Sequence, residues 1–298
     1  MRIRRILIPL LLLILLGTLS CKGKAKSSKQ LIIVSIYPWE LVLKELVGED
    51  IEVRSIIPPD ASPHTWSPKP ADLAALQNAD LVISNGLGLE TNLLSAFESR
   101  GDKHISMAKL LALNEVYGCS CMPDEDDHNE ENDPHIWTSP SILLRSVIAL
   151  TDILQSHFPQ IADKIKDNGH RMASSITAAH QRIMQERLAI HNPAVVTFHD
   201  SFRYFLDAYN IEFVGAVQSS PGKEPTPKEL AELGKRIKAK NVKAIFVEPQ
   251  MNRQPAEILA TEFDLKLVEI DPMGYTIKAT TIAEFLIGNW ERMKLGLK

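Results

Sequence analysis

Short apolar runs rich in valine and isoleucine alternate along the chain with longer segments whose apolar residues recur every three or four positions. The short runs predict buried strands, and the longer spacing predicts amphipathic helices. The predicted strands are 31–36, 51–57, 80–84 and 104–107 in the first half, and 195–198, 212–217, 243–247 and 265–270 in the second. The predicted helices are 40–47, 71–78, 201–209, 227–239 and 255–263. Because parallel neighbouring strands need a crossover long enough to form a helix, this alternation predicts two parallel sheets.

A longer helical repeat separates the two groups of strands. After its first residue, the segment 159–191 contains no proline, and Gly169 is its one weak helix former. At ~1.5 Å per residue, such a helix is long enough to brace two lobes rigidly. We therefore predict an α/β fold with two lobes, 31–158 and 192–298, each holding a mainly parallel four-stranded sheet flanked by helices.

The amino terminus has the features of an export signal. Three arginines precede an apolar run that is shorter than the roughly 20 residues needed to span a bilayer. We assign 1–20 as the signal and 21–30 as a polar tether. Cys21 resembles the acylated cysteine of bacterial lipoproteins, although Thr18 stands where leucine is usual. The alternative is plain cleavage near Ser20, but both interpretations place the protein outside the cytoplasm, in the periplasm or at the cell surface.

Composition changes this interpretation only slightly. The 298 residues are 45% hydrophobic and 23% charged, which is typical of a folded protein. A net charge of −4, without a cluster of lysine and arginine beyond the amino terminus, argues against nucleic-acid binding. We expect a monomer that is anchored to the membrane through lipid on Cys21.

An acidic segment, 119–133, interrupts the first predicted lobe. It contains seven acidic residues and no apolar periodicity, so it is expected to form a loop. It also contains Cys119, Cys121 and His128. The segment is either a solvated acidic loop or a weak auxiliary metal site built on those three residues.

Several polar residues lie where the predicted strands end. His64 lies in the loop after the second strand, and His199, Glu248 and Asp271 follow three strands of the second lobe. His135 comes just before a helix that begins near position 139. Open α/β sheets place their ligands at the carboxyl ends of the strands, so these loops are expected to meet in the cleft between the lobes. Taken singly, each residue could instead shape a turn or fill a buried position.

Three imidazoles and one carboxylate are a coherent ligand set for a transition metal. Neutral imidazole suits zinc, and four protein ligands close a tetrahedral shell without leaving a position for catalysis. The chain contains no HExxH, GxSxG or P-loop stretch. We therefore expect a metal-binding protein that is not an enzyme.

Five motifs resemble one known family. They are "PPDASPHTWSPKPADL", "NDPHIWTSP", "FHDSFRYF", "FVEPQ" and "IDPMGY", in this order. From about residue 31 to the carboxyl terminus, the chain resembles the zinc and manganese receptors of bacterial ABC transporters. The resemblance implies two lobes joined by a rigid helix, with His64, His135, His199 and Asp271 as metal ligands. It also implies delivery of the ion to a membrane permease that is powered by a separate ATPase.

Within that family, manganese receptors have a carboxylate as the third ligand, so His199 favours Zn²⁺. A ligating imidazole normally donates its second N–H to an acceptor, for which Asp200 and Glu248 are the candidates. The alternatives are a manganese or iron receptor, an adhesin-like surface protein, and a zinc hydrolase that uses Glu248 as general base.

Overall fold

The computed structural model describes most of the predicted fold. The described residues are 29–113, 133–191, 193–218 and 222–298. The signal, Cys21 and all but the end of the tether lie outside the described residues. So do Cys119, Cys121 and His128, and the predictions made for these positions are not addressed by the structure.

Each lobe is built on a four-stranded parallel sheet. The first sheet contains β1 (Leu31–Val34), β2 (Glu52–Ser55), β3 (Leu81–Ser84) and β4 (His104–Ser106), in the order β2-β1-β3-β4. The second contains β5 (Ala194–Thr197), β6 (Glu212–Ala216), β7 (Ala244–Val247) and β8 (Lys266–Glu269), in the order β6-β5-β7-β8. All eight strands found in the described part of the chain were predicted, and each predicted boundary lies within two residues of the observed one. The α/β fold class is therefore confirmed.

The described helices connect these strands. In the first lobe they are α1 (Tyr37–Val47), α2 (Pro70–Asn78), α3 (Leu94–Glu98), α4 (Met107–Leu110) and α5 (Pro140–His157). The linking helix is α6 (Ala162–Arg187), and the second lobe adds α7 (Arg203–Ala208), α8 (Pro227–Lys240), α9 (Gln254–Phe263) and α10 (Ile282–Leu297). None of the described helices is long and apolar enough to cross a membrane.

The linking helix α6 is shorter than predicted at both ends. Pro159 opens a 3-10 turn, and the 26-residue α-helix ends at Arg187 instead of continuing to 191. The Arg187 guanidinium donates to the carbonyl oxygens of Ile190 (3.2 Å) and Asn210 (2.6 Å), which holds the chain where it turns away. Leu188, which fits the apolar repeat, is consequently 79% exposed.

Helix α6 packs against both lobes. It contacts α1 and α5 of the first lobe and α10 of the second. Its buried face includes Ile165, Met172 and Ile176, which belong to a hydrophobic core that continues from β1 to α10. A smaller core covers the other face of the second sheet. The lobes therefore share packed apolar contacts, as expected of a rigid brace.

Gly169 lies where α6 packs directly against Thr151 of α5. A Cβ atom at this position would lie 2.4 Å from Oγ1 of Thr151, whose hydroxyl donates to the Val147 carbonyl oxygen at 2.7 Å. In the sequence, Gly169 is recognisable only as a weak helix former. The structure shows that the missing side chain is what allows the two helices to pack.

We predict that Gly169→Ala destabilises the protein. Alanine favours helix by about 1 kcal/mol, but overpacking at a fixed contact costs about 1–3 kcal/mol. A lower urea midpoint would show this loss, and Thr151→Ala added to Gly169→Ala should recover part of it. Ser175→Ala, at an exposed position of the same helix, is the control for helix propensity. A Gly169→Ala protein more stable than the parent would contradict the packing explanation.

Candidate metal centre

Three imidazoles from both lobes converge at the carboxyl ends of the strands. His64 lies between β2 and α2, His135 immediately precedes the 3-10 turn Ile136–Thr138, and His199 lies two residues after β5. Their candidate ligand nitrogens all lie within 4.8 Å of one another. His135 and His199 are buried, whereas His64 is partly exposed. The structure thus brings together three of the four predicted ligands.

The spacing of these nitrogens suits a single ion. Nε2 of His64 and Nε2 of His135 are 3.2 Å apart. In a tetrahedral zinc shell with Zn–N bonds of about 2.0–2.1 Å, two ligand nitrogens would be about 3.3–3.4 Å apart. The same distance also suits a hydrogen bond between two imidazoles, so the feature that favours a metal site is the nearby His199 ring. Its centroid lies 5.1 Å from that of His64 and 4.8 Å from that of His135.

Buried carboxylates orient two of the imidazoles. Nδ1 of His135 lies 2.6 Å from Oδ1 of Asp133, which also accepts the His135 backbone N–H at 2.9 Å. Nδ1 of His199 lies 3.3 Å from Oε1 of Glu248, which also accepts the Ser201 hydroxyl at 2.8 Å. A carboxylate that accepts a hydrogen bond from Nδ1–H fixes the neutral tautomer in which Nε2 is unprotonated and able to bind a metal.

Glu248 was predicted from the sequence as an acceptor candidate, whereas Asp133 was not. Asp133 was counted as the last residue of the acidic segment, whereas the structure places its carboxylate against His135. Its position two residues before a predicted ligand was the available signal. Asp200 is buried beside the site, and its charge contributes to the electrostatics of His199.

Burial determines the protonation of the site. It lowers the pKa of His64 to about 2, with further contributions from His135 and His199, and it holds the pKa of His135 well below the usual value. Burial also disfavours the His199 imidazolium, but the Glu248 charge and hydrogen bond, followed by the charges of Asp200 and Asp133, raise its pKa overall. His64 and His135 are therefore neutral near pH 7, as metal ligation requires.

Asp271 is fully buried, and the two residues after it line the cavity beside the three imidazoles, but its carboxylate is engaged elsewhere. Its Oδ1 accepts the Met273 backbone N–H (2.9 Å) and the Gln250 side-chain amide (3.1 Å). Its Oδ2 accepts the backbone N–H (2.7 Å) and the hydroxyl (3.0 Å) of Thr276. Asp271 thus holds the loop after β8. It does not belong to the group of ligand atoms that the described residues bring together, and its role as fourth ligand stays a prediction.

Side chains from both lobes enclose the space beside the imidazoles. Trp137 packs on His135, with ring centroids 5.2 Å apart, and donates from Nε1 to the Pro272 carbonyl oxygen at 2.7 Å. The cavity of about 10 Å³ between these side chains has room for roughly one water-sized group. A larger cavity, of about 540 Å³, lies against Ser84 and His104 at the edge of the first sheet and does not include the three imidazoles.

The fold and the site define a class of protein. Two similar α/β lobes, braced by one long helix, bring three imidazoles together around an ion-sized cavity between them. This arrangement is suited to holding a metal ion between the two lobes. Glu248 is engaged with His199 and Ser201. In this position it can act as the acceptor that orients a metal-binding imidazole.

Comparison with known proteins identifies the family. Residues 32–294 match the family described as "Zinc-uptake complex component A periplasmic" (ZnuA). The Bacillus subtilis (strain 168) "High-affinity zinc uptake system protein ZnuA" is 29% identical over 263 residues, which cover 84% of this chain and 81% of that protein. A Thermotoga maritima protein is 30% identical over 298 residues, covering 97% of this chain and 98% of that protein. The solved structure "Crystal structure of ZnuA" matches with a TM-score of 0.78 at 24% identity, covering 91% of this chain and 100% of that chain.

The chain therefore belongs to the family of periplasmic zinc-uptake components. The prediction of a zinc-type ABC-transporter receptor is confirmed, and so is the prediction that the protein is not an enzyme. The hydrolase alternative is accordingly set aside.

We predict that Asp133→Asn weakens zinc binding about 10- to 100-fold, the usual cost of losing an acceptor behind a metal-bound imidazole. Asparagine retains the shape of aspartate but loses the charge that opposes Nδ1 of His135. Calorimetric titration would measure the affinity, with Asp152→Asn, an exposed position on α5, as the control. Equal affinity in the two variants would show that Asp133 does not support the ligand.

Proposed function

We propose that this protein is an extracytoplasmic receptor that captures one Zn²⁺ ion between its lobes and delivers it to an ABC permease. One observation carries the proposal: His64, His135 and His199, from three different loops of two lobes, place their nitrogens within 4.8 Å of one another. Membership of a zinc-uptake family supports the same function.

The donor set supports zinc rather than manganese as the cargo. Three imidazoles form a nitrogen-rich site, whereas manganese prefers oxygen ligands. In this proposal Asp271 supplies the fourth, oxygen ligand by exchanging some of its hydrogen bonds in the loop after β8 for the ion. Asp200 and Glu248 serve as supporting residues behind the imidazoles.

The remaining parts of the proposal concern the place of the protein in the cell. The signal-like amino terminus supports export, and lipid on Cys21 would hold the receptor, as a monomer, near its permease and ATPase. The protein would be expressed with its signal and tested for partitioning into detergent. Partitioning that requires Cys21 would support the anchor. The same distribution for Cys21→Ser would count against it.

Metal content and competition test the proposal directly. We expect residues 22–298, purified without the signal and Cys21, to bind one Zn²⁺ per chain tightly and to retain it against excess Mn²⁺. Mass spectrometry and calorimetry would show this binding lost or strongly weakened in His64→Ala and His199→Ala, because each removes one ligand. His157→Ala, on an exposed part of α5, is the matched control. Preference for Mn²⁺ would overturn the cargo, and tight binding by both ligand variants would overturn the site.

Deletion of residues 119–132 separates the main site from an auxiliary site. The deletion retains Asp133 because its carboxylate supports His135. One tight Zn²⁺ retained after the deletion would exclude Cys119, Cys121 and His128 from the main site. A second, weaker ion lost with the segment would support the auxiliary site.

Zinc affinity is also expected to fall with pH. An imidazole binds metal only when neutral, so protons compete with the ion. Because the pKa of His199 lies above its usual value of 6.5, competition begins at His199 as the pH falls through that pKa. Below it, affinity should fall about tenfold per pH unit for one displaced proton. Calorimetry across this range should show the onset at lower pH in Glu248→Gln, which removes the charge that raises the His199 pKa. Affinity independent of pH would contradict imidazole ligation.

A further inference from the structure

The segment that carries the second ligand is held from both lobes. In the first lobe, the Asn85 side-chain amide donates to the Pro134 carbonyl oxygen at 2.8 Å. From the second lobe, the Tyr204 hydroxyl donates to the Asp133 carbonyl oxygen at 3.0 Å. These two carbonyls immediately precede His135. The backbone that positions this imidazole is therefore bound by both lobes.

Tyr204 comes from the same segment as the third ligand. It lies on α7, five residues after His199, and α7 packs against the 3-10 turn that follows His135. Tyr204 and Asp133 are only 8% and 6% exposed. A buried hydrogen bond of this kind has no water to replace it when one partner is removed.

Asp133 connects the Tyr204 contact to the imidazole. Its backbone carbonyl accepts from Tyr204, while its side chain accepts from both Nδ1 and the backbone N–H of His135. A shift of the Asp133 backbone would therefore move the carboxylate that sets the direction of the ring.

We propose that Tyr204 is a positioning residue for the His135 ligand, and that its hydroxyl holds the first-lobe ligand segment against the second lobe while the ion is bound. The inference rests on the proposed zinc-receptor function. It assigns Tyr204 a role in the release rate of the ion, because release requires the His135 segment and the second lobe to separate. The segment 199–204 of the second lobe thus supplies one ligand, His199, and holds another, His135.

The chain offers a matched control for this contact. The Tyr37 hydroxyl donates to the Ala279 carbonyl oxygen at 3.0 Å, which also joins the first lobe to the second. Tyr37→Phe and Tyr204→Phe therefore remove the same type of inter-lobe hydrogen bond at equal length. Of these two hydroxyls, that of Tyr204 alone has its acceptor on the backbone that leads to a ligand.

Zinc dissociation into excess chelator, followed by stopped flow, tests the proposal. We expect about tenfold faster release from Tyr204→Phe, the usual effect of losing one buried hydrogen bond, and less than a twofold change in Tyr37→Phe. The absorption spectrum of bound Co²⁺ should change in Tyr204→Phe alone, because only that variant alters the ligand geometry. Equal acceleration in both variants, or none in Tyr204→Phe, would overturn the assignment.

A double-mutant comparison separates positioning from general stability. Asp133→Asn weakens the link between the Asp133 backbone and the His135 imidazole but leaves measurable zinc binding, so adding Tyr204→Phe to that variant should accelerate release less than adding it to the parent protein. An equally large effect in that background would show that Tyr204 acts only on lobe packing, and would overturn the proposal. Failure of the parent protein to bind Zn²⁺ would instead contradict the proposed function, so the two failures are distinguishable.

Discussion

The packing of α6 against helices of both lobes is the contact on which the metal centre depends. His64 and His135 belong to the first lobe and His199 to the second, so the distance between their nitrogens is a distance between lobes. A flexible connection would leave that distance free to vary. The continuous core beneath α6, with Gly169 allowing α5 to approach closely, limits this variation and prepares the imidazoles for one ion.

Burial sets the protonation state of the imidazoles and also requires hydrogen-bond partners for their second nitrogens. It keeps His64 and His135 neutral and therefore able to bind a metal without first losing a proton. A buried imidazole still needs a partner for its other nitrogen, and the fold supplies Asp133 and Glu248. The uneven charge around the site explains why the pKa of His199 shifts in the opposite direction from that of its two neighbours.

Around the cavity, each lobe donates hydrogen bonds to the other. Trp137 of the first lobe donates to the second, and Tyr204 of the second donates to the first. Gln250 adds a third link, because its amide contacts both Asp271 and the carbonyl oxygen of Pro59. The loops that would hold the ion are therefore the same loops that join the lobes, which couples metal binding to inter-lobe packing.

The sequence by itself determined the two parallel sheets, the long helix and the grouping of His64, His135 and His199. Apolar spacing defines strands and helices locally, and parallel strands bring the loops at their carboxyl ends to one edge. Only the tertiary structure decided the role of Asp133, which is inseparable in sequence from the acidic residues before it, and of Tyr204, which lies 71 positions from the carbonyl it contacts. It also decided that Leu188 is exposed and that Gly169 is a packing position. These features depend on which distant atoms meet, and local periodicity carries no information about such contacts.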